Sequence, residues 1–60
     1  MVEQMIQKIN ETIEVSKKWY EATGQIDTLT NSKISGMIEM LQMVTGKEYY
    51  FDENGLHERV

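Results

Sequence analysis

From Val2 to Thr23 the apolar side chains fall at Val2, Ile6, Ile9, Ile13 and Tyr20, steps of three, four and seven that predict an amphipathic helix. At about 100° per residue these positions stay within about 60° of Ile6, with Ser16 in the same stripe, and define a core face. Glu3, Gln7, Asn10, Glu11, Glu14, Lys17, Lys18 and Glu21 fill the opposite arc, where Glu14 and Lys18 form a favourable i,i+4 pair. Beside the core stripe runs a second strip, Thr12, Val15, Trp19 and Ala22. Its tryptophan is too large to stand bare without a reason. Gly24 supplies a left-handed stop after Thr23.

A second helix is expected over residues 27–45, with Asp27 as N-cap and Thr28 or Thr30 as alternatives, closed by Gly46 after Thr45. Its apolar positions, from Leu29 and Ile34 to Val44, spread over an arc of about 220°, roughly twice the stripe of a helix packed on one neighbour. Such a helix needs more than one partner. Ile34, Met37, Met40, Leu41, Met43 and Val44 are therefore assigned to a homodimer interface in which two helical hairpins form a four-helix bundle. Gly36, inside the helix at a cost of about 1 kcal/mol, predicts a close backbone approach.

Lys47 to Phe51 is an aromatic, β-prone run, Asp52 to Gly55 a turn sequence, and Leu56 to Val60 a return strand. Residues 48–60 thus read as a β-hairpin. A two-residue Asn54-Gly55 turn would set Asp52 opposite His57, Tyr50 opposite Arg59 and Tyr49 opposite Val60; a type I turn with Gly55 as a bulge would shift the register by one. In the first register Tyr49, Phe51, Leu56 and Val60 share an apolar face, and the Val15/Trp19 strip is its expected seat. The other face pairs Tyr50 with Arg59 and Asp52 with His57. The fold class expected is mainly α: an αα-hairpin, then a short β-hairpin, in one small domain spanning residues 1–60.

Gly46-Lys47-Glu48-Tyr49-Tyr50-Phe51-Asp52-Glu53-Asn54-Gly55-Leu56 resembles the hairpin of choline-binding cell-wall repeats, which carry a similar aromatic-aromatic-Phe-Asp-x-x-Gly string. The resemblance covers about a fifth of the chain and implies hairpin geometry. Those repeats bind choline between successive copies, whereas this sequence holds one copy, so a choline cage of Tyr49, Tyr50 and Phe51 is not expected.

Sixty residues limit the core, since a chain this short buries only about 60% of its unfolded surface. There is no cysteine and one histidine, which removes disulfides and Cys/His zinc sites. Ten acidic against six basic residues, net charge −4, lack the footprint of a phosphate-backbone binder. The N-terminal pattern has no uninterrupted apolar run, so a cytoplasmic protein with neither signal peptide nor membrane span is expected.

His57, beside Asp52 and Glu58, reads as a surface hairpin pair rather than a catalytic base or metal ligand. No nucleophile motif, HExxH or EF-hand spacing accompanies it, and no cofactor, metal or enzymatic activity is expected. A helix-turn-helix repressor using Asn31 to Ser35 is the alternative, although Lys33 is the sole basic residue from Glu21 to Gln42. The acidic face of Glu3, Glu11, Glu14 and Glu21 suits a solvated helix or mimicry of nucleic-acid charge. The expected function is a non-enzymatic protein–protein interaction module that dimerises and binds another protein through Trp19, Tyr50, Glu14 and Glu21. Regulators and inhibitors of phages and other mobile elements share this small, acidic character.

Overall fold

The structure, a computed structural model, describes all of residues 1–60: helix α1 (Val2–Thr23), helix α2 (Thr28–Thr45), and strands β1 (Glu48–Asp52) and β2 (Gly55–Arg59). The chain is mainly helical, two helices followed by a two-stranded antiparallel hairpin. A 22-residue helix rises about 33 Å, and α1 accordingly sets the long axis of a 36 × 19 × 16 Å molecule.

Both helices stop by the same Thr-Gly device. Gly24 and Gly46 each take φ 72°, and their N–H groups donate to Tyr20 O and Gln42 O at 2.8 Å. The preceding threonine hydroxyls donate to Trp19 O and Leu41 O, and accept the N–H of Gln25 and Lys47. The chain therefore turns tightly at each end, and α2 returns antiparallel to α1.

Asp27 starts α2 as its N-cap, accepting from Thr30 N at 3.0 Å and from the Thr30 hydroxyl at 2.6 Å. These bonds, the hydroxyl first and then the N–H groups of Thr30 and Leu29, hold its carboxyl below the usual carboxylate range against a smaller opposing effect of desolvation. Native Asp27 thus favours ionisation. Its stabilising effect is complete above the unfolded carboxylate value of about 3.9 and is lost as pH falls through the lower native value. Asp27→Asn keeps a capping oxygen but cannot ionise. Its thermal midpoint should consequently fall less than that of the native chain between about pH 5 and pH 2; identical acid profiles by circular dichroism would refute a contribution from the ionised carboxylate.

The core is five aliphatic side chains: Ile9 and Ile13 of α1, and Ile34, Ile38 and Leu41 of α2. Tyr49, Phe51 and Leu56 of the hairpin pack on it from one side, and Val2, Met5, Ile6 and Met37 border it. The hairpin is also tied at both edges. Leu56 N–H donates to Asn10 Oδ1 at 2.9 Å and Tyr49 N–H to Gln42 Oε1 at 2.9 Å, so helix side chains satisfy edge groups that would otherwise be free to pair with another chain.

The hairpin departs from both expected registers. Its pairs are Tyr49 with Glu58, Tyr50 with His57, Phe51 with Leu56 and Asp52 with Gly55, around a Glu53-Asn54 turn. No non-glycine residue has positive φ, and Asp52 Oδ1 accepts Asn54 N–H at 2.8 Å, which fixes the turn one residue earlier. Relative to the Asn54-Gly55 turn, each partner moves by two residues. Side chains alternate with period two, so every one keeps its face. Val60 lies beyond β2 and is fully exposed instead of opposing Tyr49.

Three further expectations change. The hairpin does not sit on Val15 and Trp19. The two-residue connector Gly46-Lys47 returns β1 along the Gln42 side of α2, leaving Val15 59% and Trp19 49% exposed. Tyr20, expected in the core, is exposed because α2 starts at Thr28 and gives the last turn of α1 little to pack on. At Gly36 a Cβ would meet nothing within 4 Å, so no close approach explains this glycine.

Candidate functional site

The wide apolar arc of α2 resolves into two stripes. Ile34, Ile38 and Leu41 face the core, while Thr30, Lys33, Met37, Met40 and Val44 follow steps of three and four along an adjoining face. A parallel stripe of α1, Met5, Lys8, Thr12, Val15 and Trp19, has the same spacing. At 100° per residue both stripes lie roughly 160–180° from Asn10 and Gln42, the residues that hold the hairpin. They meet along a groove on the side of the helix pair that the hairpin leaves open. One end of the groove is a wholly apolar cavity of about 150 Å³ between Met5, Ile9, Met37 and Met40. The next section, about 290 Å³, is lined by Lys8, Glu11, Thr12, Val15, Thr30 and Lys33.

The sequence-assigned dimer residues divide between these stripes. Ile34 and Leu41 are fully buried inside the chain and have no surface left for a partner, and Met37 is half-buried at the rim. Met40, Met43 and Val44 are exposed, with Met43 on the outer arc beside the groove. The groove also contains Met5, Lys8, Glu11 and Lys33, which the sequence reading did not assign. The repeating 5-8-12-15-19 spacing in α1 and 30-33-37-40-44 in α2, distinct from 34-38-41, was the available signal for all of these but Glu11.

The four partner-binding candidates do not converge. Trp19 lies on the groove stripe. Tyr50 stands on the outer hairpin face, its ring 5.2 Å from that of His57 and 5.0 Å from the Arg59 guanidinium carbon. Glu14 is exposed on the outer arc of α1. Glu21 belongs to a separate cleft of about 350 Å³ where the C-terminal half of α1, the interhelical loop and the hairpin tip meet. Phe51, Tyr20 and Ile26 contribute its apolar surface, and Glu21, Asp52 and Glu53 are its acidic lining residues, the Asp52 carboxylate being turned to His57 on the outer hairpin face. Ser16 donates to Asn31 Oδ1 at 2.6 Å on the helix walls of this cleft, which engages the side-chain carbonyl of Asn31, the first residue of the Asn31 to Ser35 segment considered for DNA contact.

His57 Nε2 lies 3.0 Å from Asp52 Oδ1. That bond first, and Asn54 N–H second, hold the Asp52 carboxyl below its ordinary range. No group of three or more His, Asp or Glu side chains is placed to hold a metal ion, and no helix is long and apolar enough to cross a membrane. Comparisons with protein-family models, with curated proteins and with solved structures find no match for this chain.

Proposed function

We propose that the chain is a small non-enzymatic interaction module that acts as a homodimer, two copies joining their open helix faces into a four-helix bundle that binds and regulates another protein. The observation that carries this reading is the paired stripe of three-four spacing, Met5, Val15 and Trp19 beside Met37, Met40 and Val44, on the side away from the hairpin. Facing helix pairs with this spacing interdigitate as in coiled coils, and methionines fill irregular gaps. Area points the same way. One chain exposes 4550 Å², against roughly 4,000 Å² for a typical folded monomer of 7.0 kDa, and its core holds only five buried apolar residues. The alternative, a DNA-binding repressor dimer, has less support: Asn31 is engaged with Ser16, and Lys33 lies on the groove.

Light scattering over a concentration series should give a mass of about 14 kDa, twice that of one chain. Met40→Glu should reduce it to that of one chain while helix content persists, because Met40 is 59% exposed within the chain and its replacement would bury an unpaired charge only in the dimer. An unchanged dimer mass in this variant, or a monomeric native chain, would overturn the assembly.

A further inference from the structure

We propose that the cleft at the hairpin tip receives an arginine side chain from a segment of the partner protein. This inference rests on the interaction-module reading and names the chemistry of the partner. It does not depend on the helix-pair groove, which lies on another side of α1.

The cleft combines two features that an arginine matches. Its wall is apolar and partly aromatic: Phe51 borders the core, and Tyr20 and Ile26 stand 55% and 65% exposed at the opening with nothing in the chain to cover them. Its acidic lining residues are Glu21, Asp52 and Glu53 against Lys17, a local excess of two negative charges in a chain of net charge −4; Asp52 is bonded to His57 on the outer hairpin face, and Glu21 and Glu53 are the carboxylates left to accept from a guanidinium. An aliphatic stem covers apolar surface while a planar guanidinium stacks on an aromatic ring and donates to several carboxylates at once, which a lysine ammonium does less well. The Ser16–Asn31 bond satisfies polar groups on the wall, so a stem laid there need not compete for that pair. The volume, about 350 Å³, is at the low end for a ligand pocket and suits one anchoring side chain rather than a large cofactor. The acidic arc of α1, including Glu11 and Glu14, adds long-range attraction for a basic segment.

The test is a 15N–1H correlation titration of the full chain with the peptide acetyl-Gly-Leu-Arg-Leu-Gly-amide and its glutamate counterpart. The arginine peptide should shift the amides of Tyr20, Glu21, Ile26 and Asp52 saturably, with a dissociation constant of about 1 mM, as befits a single anchor. The glutamate peptide should not. Glu21→Gln with Glu53→Gln, two exposed changes that keep the dispersion of the spectrum, should weaken the arginine peptide about fivefold. Equal shifts with both peptides, undiminished binding in the double variant, or shifts centred on Met40 and Val44 would each overturn the proposal. Met40→Glu should leave the peptide response intact, so failure of the cleft and failure of the dimer read out separately.

Discussion

Leu41→Ala should remove a large part of the chain's folding stability, whereas Met43→Ala should be nearly silent. Leu41 is 0% exposed, at the centre of a five-residue core, and removing such a side chain costs about 2–5 kcal/mol in lost transfer free energy and residual cavity. At roughly 0.05–0.15 kcal/mol per residue, sixty residues have a total stability of only about 3–9 kcal/mol. A single truncation therefore removes much of the margin. Met43, 78% exposed on the outer arc of α2, should change stability by no more than about 0.5 kcal/mol. Urea titration followed at 222 nm measures both. The pair also separates two roles for Leu41: a dimer-interface residue would lower the assembled mass while each chain kept its fold, and a core residue takes the fold with it. A Leu41→Ala chain that loses no more stability than Met43→Ala would reject the core assignment.

Gly55→Ala should detach the hairpin from the helices. Gly55 is buried at φ 125°, a conformation that costs an L-residue about 1–3 kcal/mol. A Cβ there would also stand 2.8 Å from Asn10 Oδ1, the oxygen that accepts Leu56 N–H. If Asn10 moves aside, that bond is lost, for a combined cost of about 2–4 kcal/mol. Amide exchange at Leu56 and Tyr50 should accelerate before exchange in the helices does. A double-mutant cycle isolates the contact: in an Asn10→Ala background the clash is gone and only the backbone strain remains, so Gly55→Ala should cost less there than in the native chain. Equal costs in the two backgrounds would mean that the side chains do not meet.

The helix pair was legible because its signals are local. A proline-free periodic stretch, an aspartate N-cap and a Thr-Gly stop each act within a few residues, and α1 ends at Thr23 and α2 at Thr45 as the pattern predicts. The hairpin faces were legible for a related reason. Alternation has period two, so the Tyr50–Arg59 and Asp52–His57 contacts persist although the register moved by two. The turn itself was harder to read, since Asn54-Gly55 and Glu53-Asn54 are both sound local turns, and the latter carries the Asp52–Asn54 bond and the seating of Gly55 against Asn10.

The candidate surfaces were less legible because they depend on which face the hairpin covers. Sequence alone determined that α2 is too apolar for one partner and that Trp19 has no place in the core stripe. Tertiary structure alone decided how that excess is divided: Ile34 and Leu41 to the chain's own core, Met40 and Val44 to the open groove. The two-residue link at Gly46-Lys47 makes that division by sending the strands back over Asn10 and Gln42. Tyr20, Ile26 and the acidic residues of the hairpin tip come together for the same reason, although up to 33 positions separate them in the chain. Periodicity reports what a helix must bury. Only the path of the connecting chain reports what buries it.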